Sequence, residues 1–548
     1  MSKRSRPPLK YIFISGGVIS GIGKGITSAS ISYLLRSSGY NAVPIKFENY
    51  LNVDAGTINP IEHGDPYLCE DGTEADMDIG TYEKFLGMEM GSDNFVTMGK
   101  IYKTVIDRER RFEYNGEDVE AIPYITNEII ARIHTTAHNH QADVIVIELG
   151  GTAGEYQNVF YYEASRMLTL QHPQDVIHVH VSYVPTPKHL GEPKTKPTQM
   201  SVHTLNSMGI QPNFIVARSE RYLDQRRRER FALFCNVQPE DIISNPDVPS
   251  VYEIPLILHD QQMEAKILKK LGLPDKKPDL AHLKKLIAEV KAPKEKKVRI
   301  AIIGKYFGTG DYQLRDSYAA LFDALDHASW DQKVELETVW VDAAKIEKEG
   351  PEIIGKPNGI IVPIGWGNRG AEGMIAAANY ARVQKIPYLG LCYGMQLAVI
   401  AFARNVAGLT DANTTENDLH AKNPVIHLIP DQKKKLENRA YGGTMRLGGW
   451  DAKVEKGTMA YEMYGTQDTS ERHRHRWEFN NDYAKILTDK GLIISARSKK
   501  EGLVEIIELK KSVHPFYLGT QGHPEYKSYP SKPHPIFVGF ITACKKTA

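Results

Sequence analysis

At 548 residues the chain exceeds what one hydrophobic core sustains, so two or more domains are expected. Hydrophobic residues are 41% and charged residues 25%, a globular balance, and Lys+Arg 68 against Asp+Glu 67 leaves a formal net charge of +1. That near-neutrality gives no electrostatic case for nucleic acid or a membrane surface as the main partner.

Four cysteines, Cys69, Cys235, Cys392 and Cys544, stand too far apart for a metal or disulfide framework, which fits a reducing compartment. The apolar run from Tyr11 to Ile14 is too short for a signal sequence, and no stretch approaches a membrane span. A cytoplasmic protein is expected.

The first half opens on Tyr11-Ile12-Phe13-Ile14-Ser15 and then on Gly16-Gly17-Val18-Ile19-Ser20-Gly21-Ile22-Gly23-Lys24-Gly25-Ile26-Thr27, before residues 26–36 take on helical character. Strand, glycine loop with lysine, helix is the arrangement that cradles phosphate: backbone N–H groups and a helix N-terminus meet the anion, and the lysine neutralises charge. The spacing departs from the common P-loop, with five residues between Gly17 and Gly23 and with Gly25 where Ser or Thr would hold Mg²⁺.

A triphosphate needs a divalent cation, hence carboxylates. Glu70-Asp71-Gly72-Thr73-Glu74-Ala75-Asp76-Met77-Asp78 supplies several, and the apolar run Val144 to Ile147 ends in Glu148, where open α/β sheets place metal and ligand groups. Lys194-Thr195-Lys196-Pro197-Thr198-Gln199 offers two cations and two hydroxyls for a second polyphosphate, in a segment that Pro197 is expected to keep from being helical. The five arginines between Arg221 and Arg230 read mainly as a solvated helix face.

Lysine and proline crowd residues 274–297, with room for one amphipathic helix from Leu280 to Val290, and a new buried strand follows from Val298. The expected division is therefore 1–273, a linker 274–297, and 298–548.

In the second half, Ile360 to Pro363 reads as a strand leading into Ile364-Gly365-Trp366-Gly367-Asn368-Arg369-Gly370, a candidate oxyanion loop. Ile386-Pro387-Tyr388-Leu389, Gly390-Leu391-Cys392-Tyr393-Gly394-Met395-Gln396 and the helix-forming run to Phe402 read as strand, sharp turn and helix with a cysteine at the turn. Small residues flank such a nucleophile elbow, and the helix N-terminus favours a thiolate and later an oxyanion. His523 and Glu525 of Gln521-Gly522-His523-Pro524-Glu525 are the nearest plausible base and orienter. The charge-dense run Glu471 to Glu478 suggests an anionic ligand or an interdomain contact.

Taken in order, these segments closely resemble the CTP synthase family from about Tyr11 to Phe540. The matching stretches are Gly16 to Gly25, Tyr50 to Asp54, the acidic run through Asp78, Ile122 to Glu128, Glu148 to Thr152, Lys194 to Gln199, Gly209 to Pro212, Gly304 to Tyr306, Gly443 to Gly448, and Glu471 to Glu478. The resemblance implies two doubly wound α/β domains: a P-loop-like amidoligase similar to dethiobiotin synthetase, and a flavodoxin-like class I glutaminase. It implies ATP-dependent amination of UTP to CTP through a 4-phosphorylated intermediate, with ammonia released from glutamine.

Residue by residue, the resemblance implies that Gly21, Ile22, Gly23, Lys24, Gly25, Ile26 and Asp78 bind ATP, that Asp78 and Glu148 hold Mg²⁺, and that Lys46 stands beside the transferred phosphate. Ser20, Glu155, Tyr156, Gln157, Lys194, Thr195, Lys196, Pro197, Thr198, Gln199 and Arg230 would serve UTP and the inhibitor CTP. Cys392, His523 and Glu525 would hydrolyse glutamine, held by Gly365, Tyr393, Gly394, Met395, Gln396, Glu416 and Arg476. GTP as activator, acting through a lid that includes Arg446, and a homotetramer built as a dimer of dimers, able to form filaments, are also implied.

The chain departs from the family pattern at several places. Ile364 replaces a glycine in the oxyanion loop, so a turn needing positive φ there would be strained. Tyr393 replaces a leucine, Gly522 a phenylalanine, and Phe47-Glu48-Asn49 a Leu/Ile-Asp-Pro. Glu155-Tyr156-Gln157 replaces Asp-Ile-Glu where the cytidine inhibitor is recognised, which predicts weak feedback by CTP, and Arg230 replaces a lysine. Two other readings stay open at this point: a diverged paralogue with weak glutaminase activity or another substrate, and a non-catalytic nucleotide-sensing filament subunit. Intact Lys24, Asp78, Glu148, Cys392, His523 and Glu525 favour the enzyme.

Overall fold

A computed structural model describes residues 8–309, 312–313, 315–429, 432–438 and 441–548. The chain forms two compact units: one runs to Ala55 and resumes from Asp78 to Ile287, the other holds Gly56–Met77 and Ala288–Ala548.

The first unit is built on seven parallel strands: β1 (Lys10–Gly17), β2 (Ala42–Glu48), β3 (Phe95–Thr97), β4 (Val144–Leu149), β5 (Val176–Tyr183), β6 (Phe214–Ser219) and β7 (Ile242–Pro246). Their order is β3-β2-β4-β1-β5-β6-β7. Strands buried on both faces need apolar residues at every position. Here Ile12, Ile14, Val144 and Val146 pack into one core with Leu34, Leu258 and Ile267, while Tyr11, Phe13, Ile145 and Ile147 pack into another with Ile101, Ile129 and Leu168. Helix α1 (Lys24–Ser37) follows the glycine loop and α2 (Met77–Leu86) follows the acidic run. The helix Ala281–Lys291 forms where amphipathic spacing placed one, and Leu280, Leu283 and Ile287 bury in the first unit's core.

Pro197 does not keep its segment from being helical. Residues Lys196–Ser207 form helix α3 with Pro197 in its first turn, where the missing N–H has no intrahelical partner to lose.

The second unit carries a nine-stranded sheet: β8 (Lys296–Gly304), β9 (Val334–Asp342), β10 (Gly359–Val362), β11 (Tyr388–Leu391), β12 (Arg446–Val454), β13 (Asp468–His475), β14 (Ile493–Ser498), β15 (Val504–Glu508) and β16 (Tyr517–Thr520). The order is β9-β8-β10-β11-β16-β15-β14-β12-β13. The five strands from β9 to β16 run parallel, and the other four are added antiparallel. Helix α4 (Tyr393–Asn405) leaves β11 and is buried along nearly its whole length. Among the described residues no helix is long and apolar enough to cross a membrane.

Candidate active sites

In the first unit the carboxyl ends of β1, β2 and β4 converge. Val18 (φ 81°), Gly21 (φ 69°) and Gly23 (φ 88°) bend the loop after β1, so that α1 begins at Lys24. Lys24 Nζ donates to the Gly151 carbonyl at 2.7 Å. Burial, and next to it the charge of Lys46, lowers the Lys24 pKa.

Lys46, at the end of β2, is 4% exposed and gathers three carboxylates: Asp78 Oδ2 at 2.6 Å, Glu148 Oε1 at 2.7 Å and Glu48 Oε1 at 3.1 Å. Tyr82 donates to the other Glu148 oxygen. Burial pushes the Glu148 carboxyl up, against the pull of Lys46. Gly25 gains its reason here: a Cβ on it would lie 2.0 Å from Asp78 Oδ1. The carboxylate therefore occupies the space that the Ser or Thr of an ordinary P-loop would fill.

The acidic run behaves differently from its expected role as a carboxylate store for metal. Asp78 reaches Lys46. Glu70 and Glu74 instead pair inside the second unit with Arg472 and Arg474.

Around α3, Ser182 donates to Thr198 Oγ1 at 2.9 Å and Gln199 Nε2 to Thr195 Oγ1 at 3.1 Å. Lys194 pairs with Glu192, Lys196 is exposed and Pro197 half-buried. Glu155 accepts from the Thr152 N–H and hydroxyl, both at 2.7 Å, and from Asn49 Nδ2 at 3.0 Å. Tyr156 is 97% exposed, and Ser20, Gln157 and Arg230 are exposed too. Of the loop residues, Ile22 and Gly25 are buried, and Gly23 and Ile26 half-buried.

In the second unit Cys392 sits between β11 and α4 with φ 51° and ψ −100°, the strained geometry that exposes a nucleophile at a helix start. Close packing makes the flanking glycines obligatory: a Cβ on Gly394 would lie 1.9 Å from the Val362 carbonyl oxygen, and one on Gly390 would meet the Gly394 backbone at 2.7 Å. The Cys392 N–H is tied to the Thr520 carbonyl at 2.7 Å, which docks the elbow on β16, the strand that leads to His523.

His523 is fully buried and its Nδ1 meets Glu525 Oε1 at 2.7 Å. Its Nε2 is buried without a hydrogen bond. Burial alone would lower the imidazole pKa; Glu525 and then Cys392 outweigh it and hold it up at about 10. Both neighbours favour a proton on the ring.

The oxyanion loop follows β10. Ile364 is 2% exposed and is absent from the residues of positive φ, whereas Gly367 (φ 69°) and Gly370 (φ 73°) take the left-handed turns. The expected strain at Ile364 does not arise. A Cβ on Gly365 would press on Lys305 Cδ at 2.7 Å and Tyr393 Cδ1 at 3.2 Å. Lys305 donates to the Trp366 and Gly367 carbonyls at 2.7 and 2.6 Å and lies 4.9 Å from the centre of the Tyr393 ring. Tyr393 donates to the Gly367 carbonyl at 3.1 Å. Glu416 accepts from the Gly367 N–H at 2.7 Å, and burial raises its carboxyl to about 7. Gln396 donates to the Trp477 carbonyl, and Gln521 Nε2 approaches Cys392 Sγ at 3.4 Å. Met395 is fully buried. Arg476 donates to Gln432 Oε1 and to the Tyr441 carbonyl, both at 2.6 Å.

The family described as CTP synthase N-terminus matches residues 10–273, and that described as glutamine amidotransferase class-I matches residues 313–543. A CTP synthase of Caldanaerobacter subterraneus subsp. tengcongensis is 47% identical over 97% of this chain and 98% of its own length. One of Pyrococcus abyssi is 46% identical over 98% of both. The chain belongs to the CTP synthase family. A solved glutaminase domain of Trypanosoma brucei CTPS with bound acivicin is 35% identical over 45% of this chain and 94% of its own, with a TM-score of 0.42.

Within the CTP synthase frame, the structure gives roles to residues that the sequence left without one. Glu48 is a third carboxylate on Lys46, Tyr82 anchors Glu148, and Lys305 braces the loop before the nucleophile strand. Tyr82 carried no motif signal, and Lys305 lay in the matching stretch Gly304 to Tyr306 without a role, since their partners lie 66 and 61 residues away in the chain.

Proposed function

We propose that this enzyme aminates UTP to CTP with ammonia taken from glutamine, using ATP to make the pyrimidine 4-oxygen displaceable. The observation that carries the reading is the strained Cys392 elbow, which interacts electrostatically with a buried imidazole whose Nδ1 is bonded to Glu525.

In the glutaminase reaction Cys392 attacks the amide carbon, and the N–H groups at the start of α4 and in the Gly365 loop stabilise the oxyanion. His523 Nε2 gives its proton to the departing ammonia and then takes one from the water that cleaves the thioester. Glu525 fixes the ring. Glu416 receives the glutamine ammonium, Arg476 its carboxylate, and Tyr393, Gly394, Met395 and Gln396 shape the pocket.

In the synthetase reaction the glycine loop and Lys24 hold the ATP phosphates. Mg²⁺ takes few protein carboxylates and completes its shell with phosphate and water. Asp78 and Glu148 form such a pair, while no cluster of three or more metal-ligating side chains exists among the described residues. Bound there, the ion would neutralise phosphate charge. Lys46 then meets the transferred phosphoryl group, and Ser20 with residues 194–199, Glu155, Tyr156, Gln157 and Arg230 meets UTP. We extend the reading to GTP as activator and to a cytoplasmic homotetramer.

The test supplies UTP, ATP and Mg²⁺ with either glutamine or ammonium. CTP should form with both donors, and failure with both refutes the assignment. A further arm adds CTP at the UTP concentration; the uncharged Gln157 predicts little inhibition, and strong inhibition would contradict that subsite.

The glutamine pocket also has a pH signature. Glu416 is protonated below about pH 7 and ionised above it, and only the carboxylate pairs with an ammonium. The KM for glutamine should therefore fall as pH rises through about 7, roughly tenfold per unit below it, and Glu416→Gln should flatten the profile at a high KM. A profile unchanged by that substitution would remove Glu416 from the pocket.

A further inference from the structure

Strand β13 alternates its charged residues with the pleat. Arg472 and Arg474, 0% and 2% exposed, turn toward Gly56–Met77, the segment of the chain's first hundred residues that belongs to this unit. Arg474 donates to Glu74 Oε1 at 2.6 Å, Asp65 Oδ1 at 3.3 Å and the Gly56 carbonyl at 3.2 Å. Arg472 donates to Glu70 Oε2 at 3.1 Å and the Leu68 carbonyl at 2.8 Å.

The seat is built to shape. A Cβ on Gly449 of β12 would lie 2.0 Å from Glu70 Oε1, and one on Gly56 would lie 2.0 Å from Glu74 Oε2.

The same two arginines touch the glutaminase centre through other atoms. The Arg472 carbonyl accepts the His523 N–H at 2.8 Å, and the Arg474 carbonyl lies 3.8 Å from Cys392 Sγ. The Arg474 guanidinium also sits 4.5 Å from the ring centre of Trp366, next to Gly365 in the oxyanion loop. Beyond the triad, Tyr526 donates to Asp65 Oδ2 at 3.2 Å and Lys527 to Glu70 Oε1 at 2.9 Å. One segment thus holds the nucleophile's neighbour, the base's neighbour and the loop's neighbour together.

We propose that Glu74, with Asp65, is a positioning residue for glutamine hydrolysis: by anchoring Arg474 it sets the place of the Cys392 thiol and of the Trp366 loop. Neither carboxylate touches the substrate. The proposal rests on Cys392 being the nucleophile, and a misplacement near 1 Å at such a centre costs up to about a hundredfold in rate.

The experiment uses the full-length chain carrying Glu74→Gln. The kcat for glutamine hydrolysis should drop roughly ten- to a hundredfold with KM changed less than about twofold. Alkylation of Cys392 by iodoacetamide should slow, ammonia-dependent CTP formation should persist, and Glu74→Asp should recover part of the loss. An unchanged kcat overturns the proposal, and so does an equal loss with ammonia. Should Glu74→Gln fail to fold, Asp65→Asn is to show the same kcat-only loss at smaller amplitude, and its absence there overturns the proposal equally. Wild-type glutamine hydrolysis, compared with Cys392→Ala, checks the nucleophile assignment separately.

Discussion

Cys392→Ala is expected to abolish CTP formation from glutamine while leaving formation from ammonium intact. Loss of the nucleophile in an acyl transfer costs on the order of a millionfold, because the base and its orienter have nothing to activate. The fold should tolerate the change. Cys392 is 3% exposed, and alanine retains the Cβ in the same turn while losing one sulfur from a site whose strain comes from the backbone. The elbow is set by Gly390, Gly394 and the Cys392–Thr520 backbone bond, none of which involves the thiol. Parallel rates with the two donors separate the outcomes: loss of the ammonium rate together with the glutamine rate would mean that the two chemistries do not occupy separate sites.

Lys46→Met should remove CTP formation with both donors. Preorganised charge at a developing phosphoryl transition state is worth roughly a hundred- to a thousandfold per donor. Methionine matches the lysine stem but carries no charge, so Glu148, Asp78 and Glu48 lose their shared cation. Breaking a buried ion pair from one side costs about 3–5 kcal/mol, so a lower melting temperature should accompany the loss. Glutamine hydrolysis, carried by the other unit, should survive in the folded variant. Retention of ammonium-dependent synthesis in Lys46→Met would take Lys46 out of the phosphoryl site.

Much of this was legible because local chemistry forces it. A glycine-rich turn between a buried strand and a helix can be read from neighbouring residues, and so can a cysteine at a strand-helix turn. The residue types alone suggested His523 as partner to Cys392, and the family resemblance agreed, but only the fold can bring together residues 131 apart in the chain. Gly25 was legible as a departure but not as a fit: its reason is that Asp78, from a helix far along the chain, fills the space a Cβ would need. Pro197 argues against helix in Lys194 to Gln199 because proline usually breaks helices, yet the helix starts at Lys196 and in its first turn a proline costs nothing. The strongest failure lies in the acidic run. Charge density alone could not show that Glu70 and Glu74 neutralise arginines about 400 residues later, and the dense run Glu471 to Glu478 was waiting for those same partners. Buried charges are matched through the fold, not along the chain.

The most direct measurement follows the nitrogen itself. The wild-type chain, given UTP, ATP, Mg²⁺ and glutamine labelled with ¹⁵N in its amide, should yield CTP labelled on the 4-amino group, with glutamate and ADP formed in equal amount. Glutamate released without labelled CTP, or CTP appearing without label, would contradict the account.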